Sequence, residues 1–316
     1  MGLFAAFYAG LRGMSVRIID SLPELGGQLT ALYPEKYVYD MPGFPKILAK
    51  DLAVQMAEQA LQFKPELVLE DTAEGLDPDD EGYVIRTKNG LLLPTRTIII
   101  SAGAGAFTPT RIGIEREDEF HQKGLYYGVK GRSQFEGKKL VIVGGGDSAF
   151  DWALNLEPIA HEITLVHRRD QFKAHEDSVR QVQDSRVAMK LWCTVKELHG
   201  DENLSGITLE NTQTKETEHL EADAIIVNVG FKSNLGPIKE WGVTIEKNQV
   251  VVDRRFETAL PGVYAVGDVC TFDGKLKLIA TGTSEAATAV CFAKMKIDPE
   301  AKLFPGHSSD MDLQAV

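Results

Sequence analysis

The chain has 316 residues, 43% of them hydrophobic and 25% charged, with 29 Gly and 13 Pro, which excludes a fibrous or disordered protein. Single hydrophobic cores stop growing at roughly 250–300 residues, so two domains are expected. A net charge of −12, from 34 basic against 46 acidic side chains, excludes general attraction to nucleic acid or anionic membrane.

In chain order, Gly2 opens a small-residue helix over 3–11. That apolar run is shorter than the ~20 residues of a membrane span and has no basic residue before it, so a cytoplasmic chain is expected. A strand over 16–19 ends at Asp20. A loop with Gly26-Gly27-Gln28-Leu29 and Tyr33-Pro34 follows, then a helix around 51–62 and strands over 67–69, 83–87 and 97–101. The last runs into Ala102-Gly103-Ala104-Gly105, a turn without bulky side chains that lets backbone approach a cofactor. Further on come an apolar strand over 140–143, a glycine turn, a helix to about 159 and a strand over 163–166. A strand over 224–229 leads into Gly230-Phe231, and the chain then turns towards 250–253. The segment 258–268 is an apolar strand ending in Gly267-Asp268, at the strand end where α/β sheets bind ligands. A helix over 283–295 and a tail with Pro305-Gly306-His307 close the sequence. The expected fold is α/β, with two Rossmann-like dinucleotide-binding domains of three-layer ββα type. The expected domains are 1–107 plus 253–316, discontinuous, and an inserted 108–252.

The run Gly144-Gly145-Gly146-Asp147-Ser148-Ala149 sits between strand and helix and reads G-x-G-x-x-A, the dinucleotide fingerprint in its proper context. Gly144 allows the tight turn, Gly146 lets the backbone approach a pyrophosphate, and Ala149 keeps helix close to strand. The phosphates then meet the free N–H groups of the helix N-terminus.

The N-terminus reads as a second copy of this unit without its front half. Asp20 and His167 stand at equivalent ends of their second strands. A carboxylate there accepts hydrogen bonds from a ribose diol, whereas His167-Arg168-Arg169 suits a 2′-phosphate. One site therefore reads as an unphosphorylated adenosine ribose and the other as NADP. A solvated basic pair in a turn is the alternative for Arg168 and Arg169. The first strand of the N-terminal unit, with the first two glycines of its fingerprint, would precede Met1, so this first dinucleotide-binding domain is expected to lack its first strand and phosphate-binding turn in this chain.

Cys193, Cys270 and Cys291 are widely spaced and form no C-x-x-C, which excludes a disulfide framework and a thiolate zinc site and leaves buried free thiols. His161, His167 and His175 are too scattered to suggest a metal.

Together these motifs resemble the two-dinucleotide flavoprotein disulfide reductases, and within them the thioredoxin-reductase-like ferredoxin–NADP⁺ reductases. The marks are Gly26–Leu29, Gly144–Ala149, His167–Asp170 with Phe172-Lys173-Ala174-His175-Glu176, Gly267-Asp268 and the extension around His307. Low-molecular-weight thioredoxin reductases carry a redox C-x-x-C shortly before the NADP glycines; the corresponding stretch 124–135 contains no cysteine, so dithiol exchange is chemically closed.

The resemblance implies FAD held by Gly2, Asp20, Gly27, Gln28, Ala73, Phe107, Asp268 and Ser309, with Tyr33 stacked on one flavin face and His307 covering the other. A loop aromatic packed on Pro34 and an ordinary tail residue are the alternatives for these two. It implies NADPH held by Gly144, Gly146, Asp147, Ser148, Ala149, His167, Arg168, Arg169 and Lys173, with lysine at 173 where many relatives have arginine. No acid–base residue is implied, because hydride passes directly to the flavin. The helix near Thr283 would point its positive end at the flavin pyrimidine. Three readings stand open: a homodimeric NADPH reductase of ferredoxin or flavodoxin, an NADPH-dependent flavoenzyme reducing quinones or dyes, and a non-catalytic nucleotide-binding redox module.

Overall fold

The computed structural model describes residues 1–103, 105–129, 131–307 and 309, with the side chains of 106–108 and 231–233 outside that description. The chain divides into two compact units, Met1–Phe107 with Ser233–Val316, and Thr108–Lys232. The return to the first unit thus comes at Ser233 rather than at 253. The reason is apolar: Leu235, Ile238 and Val243 lie in one buried cluster with Ile85, Leu93, Ile98 and Ile100, and the Trp241 indole N–H donates to Glu74 O at 3.1 Å.

In the inserted unit, Lys139–Gly144 is the middle strand of a parallel sheet in the order Leu125–Tyr126, Ala224–Asn228, Lys139–Gly144, Glu162–His167, Ala188–Leu191. Both faces of this strand are covered, which is why it reads as an unbroken apolar run rather than an alternating one. Leu140 and Ile142 pack with Phe150, Trp152, Ala153 and Leu156 of the helix Asp147–Leu156. Val141 and Val143 face the other way, against Val195, Leu198, Ile207 and Leu209 of an antiparallel sheet formed by Cys193–Gly200, Leu204–Asn211 and Thr217–Glu221. Sheet, sheet and helix make the expected three layers. Ile142 is fully buried, and truncating such a residue to Ala costs about 2–5 kcal/mol.

In the other unit the helix Gly2–Leu11 buries Ala5, Ala6, Ala9 and Gly10. Those small side chains let it lie close to the helix Ile279–Ile297, whose Ala286, Ala289, Val290 and Ala293 share its cluster. The latter helix starts at Ile279 rather than near 283. Two parallel strand pairs, Arg17–Ile19 with Glu66–Val68 and Ile98–Ile100 with Val263–Ala265, accompany an antiparallel meander of Ala73–Asp79, Gly82–Thr87 and Leu92–Thr95. The two parallel pairs do not join among the described residues; Ile18, Ile19, Ile98, Ile99 and Ile100 instead line one cavity. Among the described residues no helix is long and apolar enough to cross a membrane.

Candidate functional site

In the inserted unit, the strand Lys139–Gly144 delivers the glycine turn to the N-terminus of the helix Asp147–Leu156, where unpaired backbone N–H groups favour an anion. A Cβ on Gly144 would come 2.5 Å from Asn228 O and 2.9 Å from the Ala149 Cβ, so strand and helix touch there with no room for a side chain. A Cβ on Gly146 would meet nothing within 4 Å, so this side of the turn is open to a phosphate. The residue between them is constrained as well: a Cβ on Gly145 would fall 2.1 Å from the His167 ring.

The segment after the second strand is tied back across the turn. Lys173 N donates to Gly145 O at 2.7 Å, and His175 N donates to Asp147 Oδ1 at 2.8 Å. His167 Nε2 lies 3.1 Å from Gln171 O, a contact that leaves Nδ1 as the acceptor of the neutral ring. Burial holds the His167 pKa below its ordinary value, the Gln171 carbonyl opposes this, and the charges of Arg168 and Arg169 add to the lowering. Arg168, Arg169 and Lys173 are exposed. An open glycine cradle beside a set of mobile-stemmed cations fits a dinucleotide with an extra phosphate.

The other unit holds a cavity of about 1480 Å³. Gly2, Asp20, Gly27, Gln28, Tyr33, Ala73 and Asp268 all line it, drawn from several separate elements and loops. Gly2 opens its helix at the cavity wall, and a Cβ there would come 2.7 Å from Ser101 Oγ. Asp20 ends the strand Arg17–Ile19 and its Oδ1 accepts from Leu22 N at 3.0 Å. Burial raises its pKa even though the Leu22 and Ser21 amides pull the other way, and the carboxylate lies on the cavity wall. The Gln28 amide lies against Gly103, which has φ +60° and whose Cβ would be 2.1 Å from Gln28 Nε2. Tyr33 has its pKa raised by burial first and then by the charges of Asp268 and Asp40. A helix start, a partly desolvated carboxylate, an aromatic ring and glycine turns around one cavity fit FAD; the volume exceeds the ~300–1,000 Å³ of ordinary ligand pockets.

Two expected residues do not line the cavity. His307 is exposed and packs edge-on against Phe304, with ring centroids 5.4 Å apart, and it does not line the cavity. Ser309 is exposed. The Phe107 side chain lies outside the described residues. Sequence reasoning missed Ser101 and the loop Lys277–Leu278 on the cavity wall, and it missed the packing of His167 on Gly145. The Gly2–Gly10 small-residue pattern was the available signal for a close-packed start to the first unit.

A family model described as pyridine nucleotide-disulphide oxidoreductase matches residues 2–287. The chain belongs to the pyridine nucleotide-disulphide oxidoreductase family. Among its relatives are the ferredoxin–NADP reductase 2 of Shouchella clausii, 52% identical over 98% of this chain and 94% of that protein, and the ferredoxin–NADP reductase of Geobacillus thermodenitrificans, 50% identical with the same coverage. The crystal structure of T. acidophilum thioredoxin reductase superposes with a TM-score of 0.80 at 25% identity, covering 95% of each chain. In this member of the family Cys193, Cys270 and Cys291 are each buried and free.

Proposed function

We propose that the chain is an FAD-dependent oxidoreductase that transfers electrons between NADPH and ferredoxin or flavodoxin. The observation that carries this reading is the 52% identity, over 98% of the chain, to a ferredoxin–NADP reductase. Bound FAD supplies a site that takes hydride at N5 and gives electrons up one at a time.

The chain's own residues bind and orient. Asp20 accepts the adenosine ribose hydroxyls of FAD, and the helix start at Gly2 faces its phosphates. Tyr33 would stack on the isoalloxazine with Gln28 beside it, and Asp268 would hold the ribityl–pyrophosphate region beside Gly27 and Ala73, all of which line the cavity. In the other unit Gly144, Gly146, Asp147, Ser148 and Ala149 cradle the NADPH pyrophosphate. Arg168, Arg169 and Lys173 take the 2′-phosphate, and His167 supports the turn beneath them by packing on Gly145. The working molecule is a cytoplasmic homodimer. His307 packs on Phe304 outside its own chain's cavity, and Leu303 and Phe304 are 44% and 64% exposed, which favours a tail that covers the flavin of a second copy.

Replacing Cys193, Cys270 and Cys291 together by Ser tests whether the route needs a thiol. Anaerobic NADPH is expected to bleach the flavin absorbance of the folded variant as it does that of the parent protein. A folded, FAD-loaded variant that NADPH cannot reduce would restore a thiol mechanism.

A further inference from the structure

Beneath the Gly267–Val269 turn that carries Asp268 lies an ion pair with no role in the reading above. Lys275 Nζ is bonded to Glu285 Oε1, and the side chains are 6% and 5% exposed. Charges so far from water are costly unless paired and fully hydrogen-bonded, so the position of each is tightly set. Glu285 does not spend its second oxygen on solvent: Oε2 accepts the Gly267 N–H at 2.7 Å, in a fully protein-enclosed bond. Glu285 stands in the second turn of the helix Ile279–Ile297, whereas Lys275 stands in the loop before it. The pair thus joins two stretches of the FAD cavity wall, Gly267-Asp268 and Lys277–Ile279.

Two further side chains hold the same turn. Gln249 Nε2 donates to Asp268 O and to Cys270 O, each at 3.0 Å. The Cys270 thiol lies 3.2 Å from Gly267 O, and burial pushes it up to about 12, so it remains a protonated donor. Gly267 sits at φ +78°, a conformation that favours glycine, so its peptide orientation is easily lost if its N–H is released. Gly267 N–H, Gly267 O and Asp268 O are therefore each held from beneath, by side chains that do not line the cavity.

We infer that Glu285, held by Lys275, is a positioning residue that orients the Gly267–Asp268 turn for FAD, with Gln249 as its second support. This rests on the reading of Asp268 as an FAD contact. It deepens that reading by naming what sets the carboxylate's place. The acceptor on Gly267 N–H does the positioning, and the charge of Lys275 serves to keep that acceptor in place.

The test uses full-length protein stripped of FAD and titrated with FAD, following quenching of flavin fluorescence, with thermal unfolding of the apoprotein alongside. K275M/E285Q removes both charges but leaves a carbonyl oxygen for Gly267 N–H. K275M/E285L removes the acceptor as well. FAD affinity is expected to stay within about threefold of the parent in K275M/E285Q and to fall at least tenfold in K275M/E285L, at similar apoprotein Tm. That tenfold corresponds to about 1.4 kcal/mol, the size of one hydrogen-bond contribution.

Equal affinities in the two double variants would overturn the inference. Should either double variant fail to melt cooperatively, Q249M decides: it leaves the ion pair intact and frees Asp268 O, so weaker FAD binding supports the inference and unchanged binding overturns it. D268A separates the two levels. If D268A binds FAD as the parent does, the reading of Asp268 falls and the inference with it. If D268A binds poorly while the two double variants match, only the inference falls.

Discussion

The His167 imidazole fills the space into which a side chain on Gly145 would grow, with Cε1 at 2.1 Å and both ring nitrogens at 2.4 Å from an ideal Cβ. The end of one strand is thereby packed onto the phosphate turn that follows its neighbour. Two features read separately in the sequence, glycine turn and basic cluster, are one packed unit.

G145A should therefore displace the ring rather than strain the backbone. The KM for NADPH is expected to rise about tenfold, roughly 1.4 kcal/mol, with FAD content unchanged. In G145A/H167A the clash is gone, and the two effects should be non-additive because the residues touch. Steady-state kinetics on the four proteins of this cycle measure the coupling; strict additivity would show that the ring and the turn act independently.

Cofactor choice follows from the cations after this ring. Charge-assisted hydrogen bonds are worth about 1.5–3 kcal/mol each, so R168A/R169A should lower the kcat/KM preference for NADPH over NADH at least tenfold. The loss should fall on NADPH, with NADH kinetics nearly unchanged. Equal losses with both cofactors would place the 2′-phosphate elsewhere.

His167 also reports its own surroundings. Its folded pKa lies below 6.5 because burial, helped by Arg168 and Arg169, disfavours the imidazolium. Between that folded value and 6.5 the unfolded chain binds more protons, so the protein loses stability from this residue as pH falls through 6.5. A 2′-phosphate placed among these cations reverses the local field. NMR titration of the His167 ring should give a midpoint below 6.5 in the free protein and a higher one with NADP⁺. NAD⁺ should leave it where it was.

What could be read from the sequence divides by the kind of interaction. The unit from Lys139 to His167 was legible because its glycine spacing and unbroken apolar strand each have one physical reading, and Asp20 and Arg168 stand, as read, just past the ends of the strands Arg17–Ile19 and Glu162–His167. The return of the chain at Ser233 was not legible, because Leu235, Ile238 and Val243 join the first unit's core through contacts more than a hundred residues away. The helix Glu176–Gln183 went unread because Val182 is its only fully buried residue and charge covers the rest. The sheet Cys193–Gly200, Leu204–Asn211 and Thr217–Glu221 was missed because bulges at Val195/Glu197 and His199/Gly200 break its alternation. Lys275, Glu285 and Gln249 look like surface residues in a list of letters; only burial shows that they support the Asp268 turn.

The central claim is that NADPH electrons leave this protein singly to an iron–sulfur or flavin carrier. The most direct measurement is anaerobic mixing of FAD-loaded protein with NADPH and excess ferredoxin, following the ferredoxin absorbance. The account predicts catalytic bleaching of ferredoxin with NADPH and far slower bleaching with NADH. It would be contradicted if NADPH reduced the bound flavin and a small dye or quinone turned over, while ferredoxin and flavodoxin both stayed oxidised.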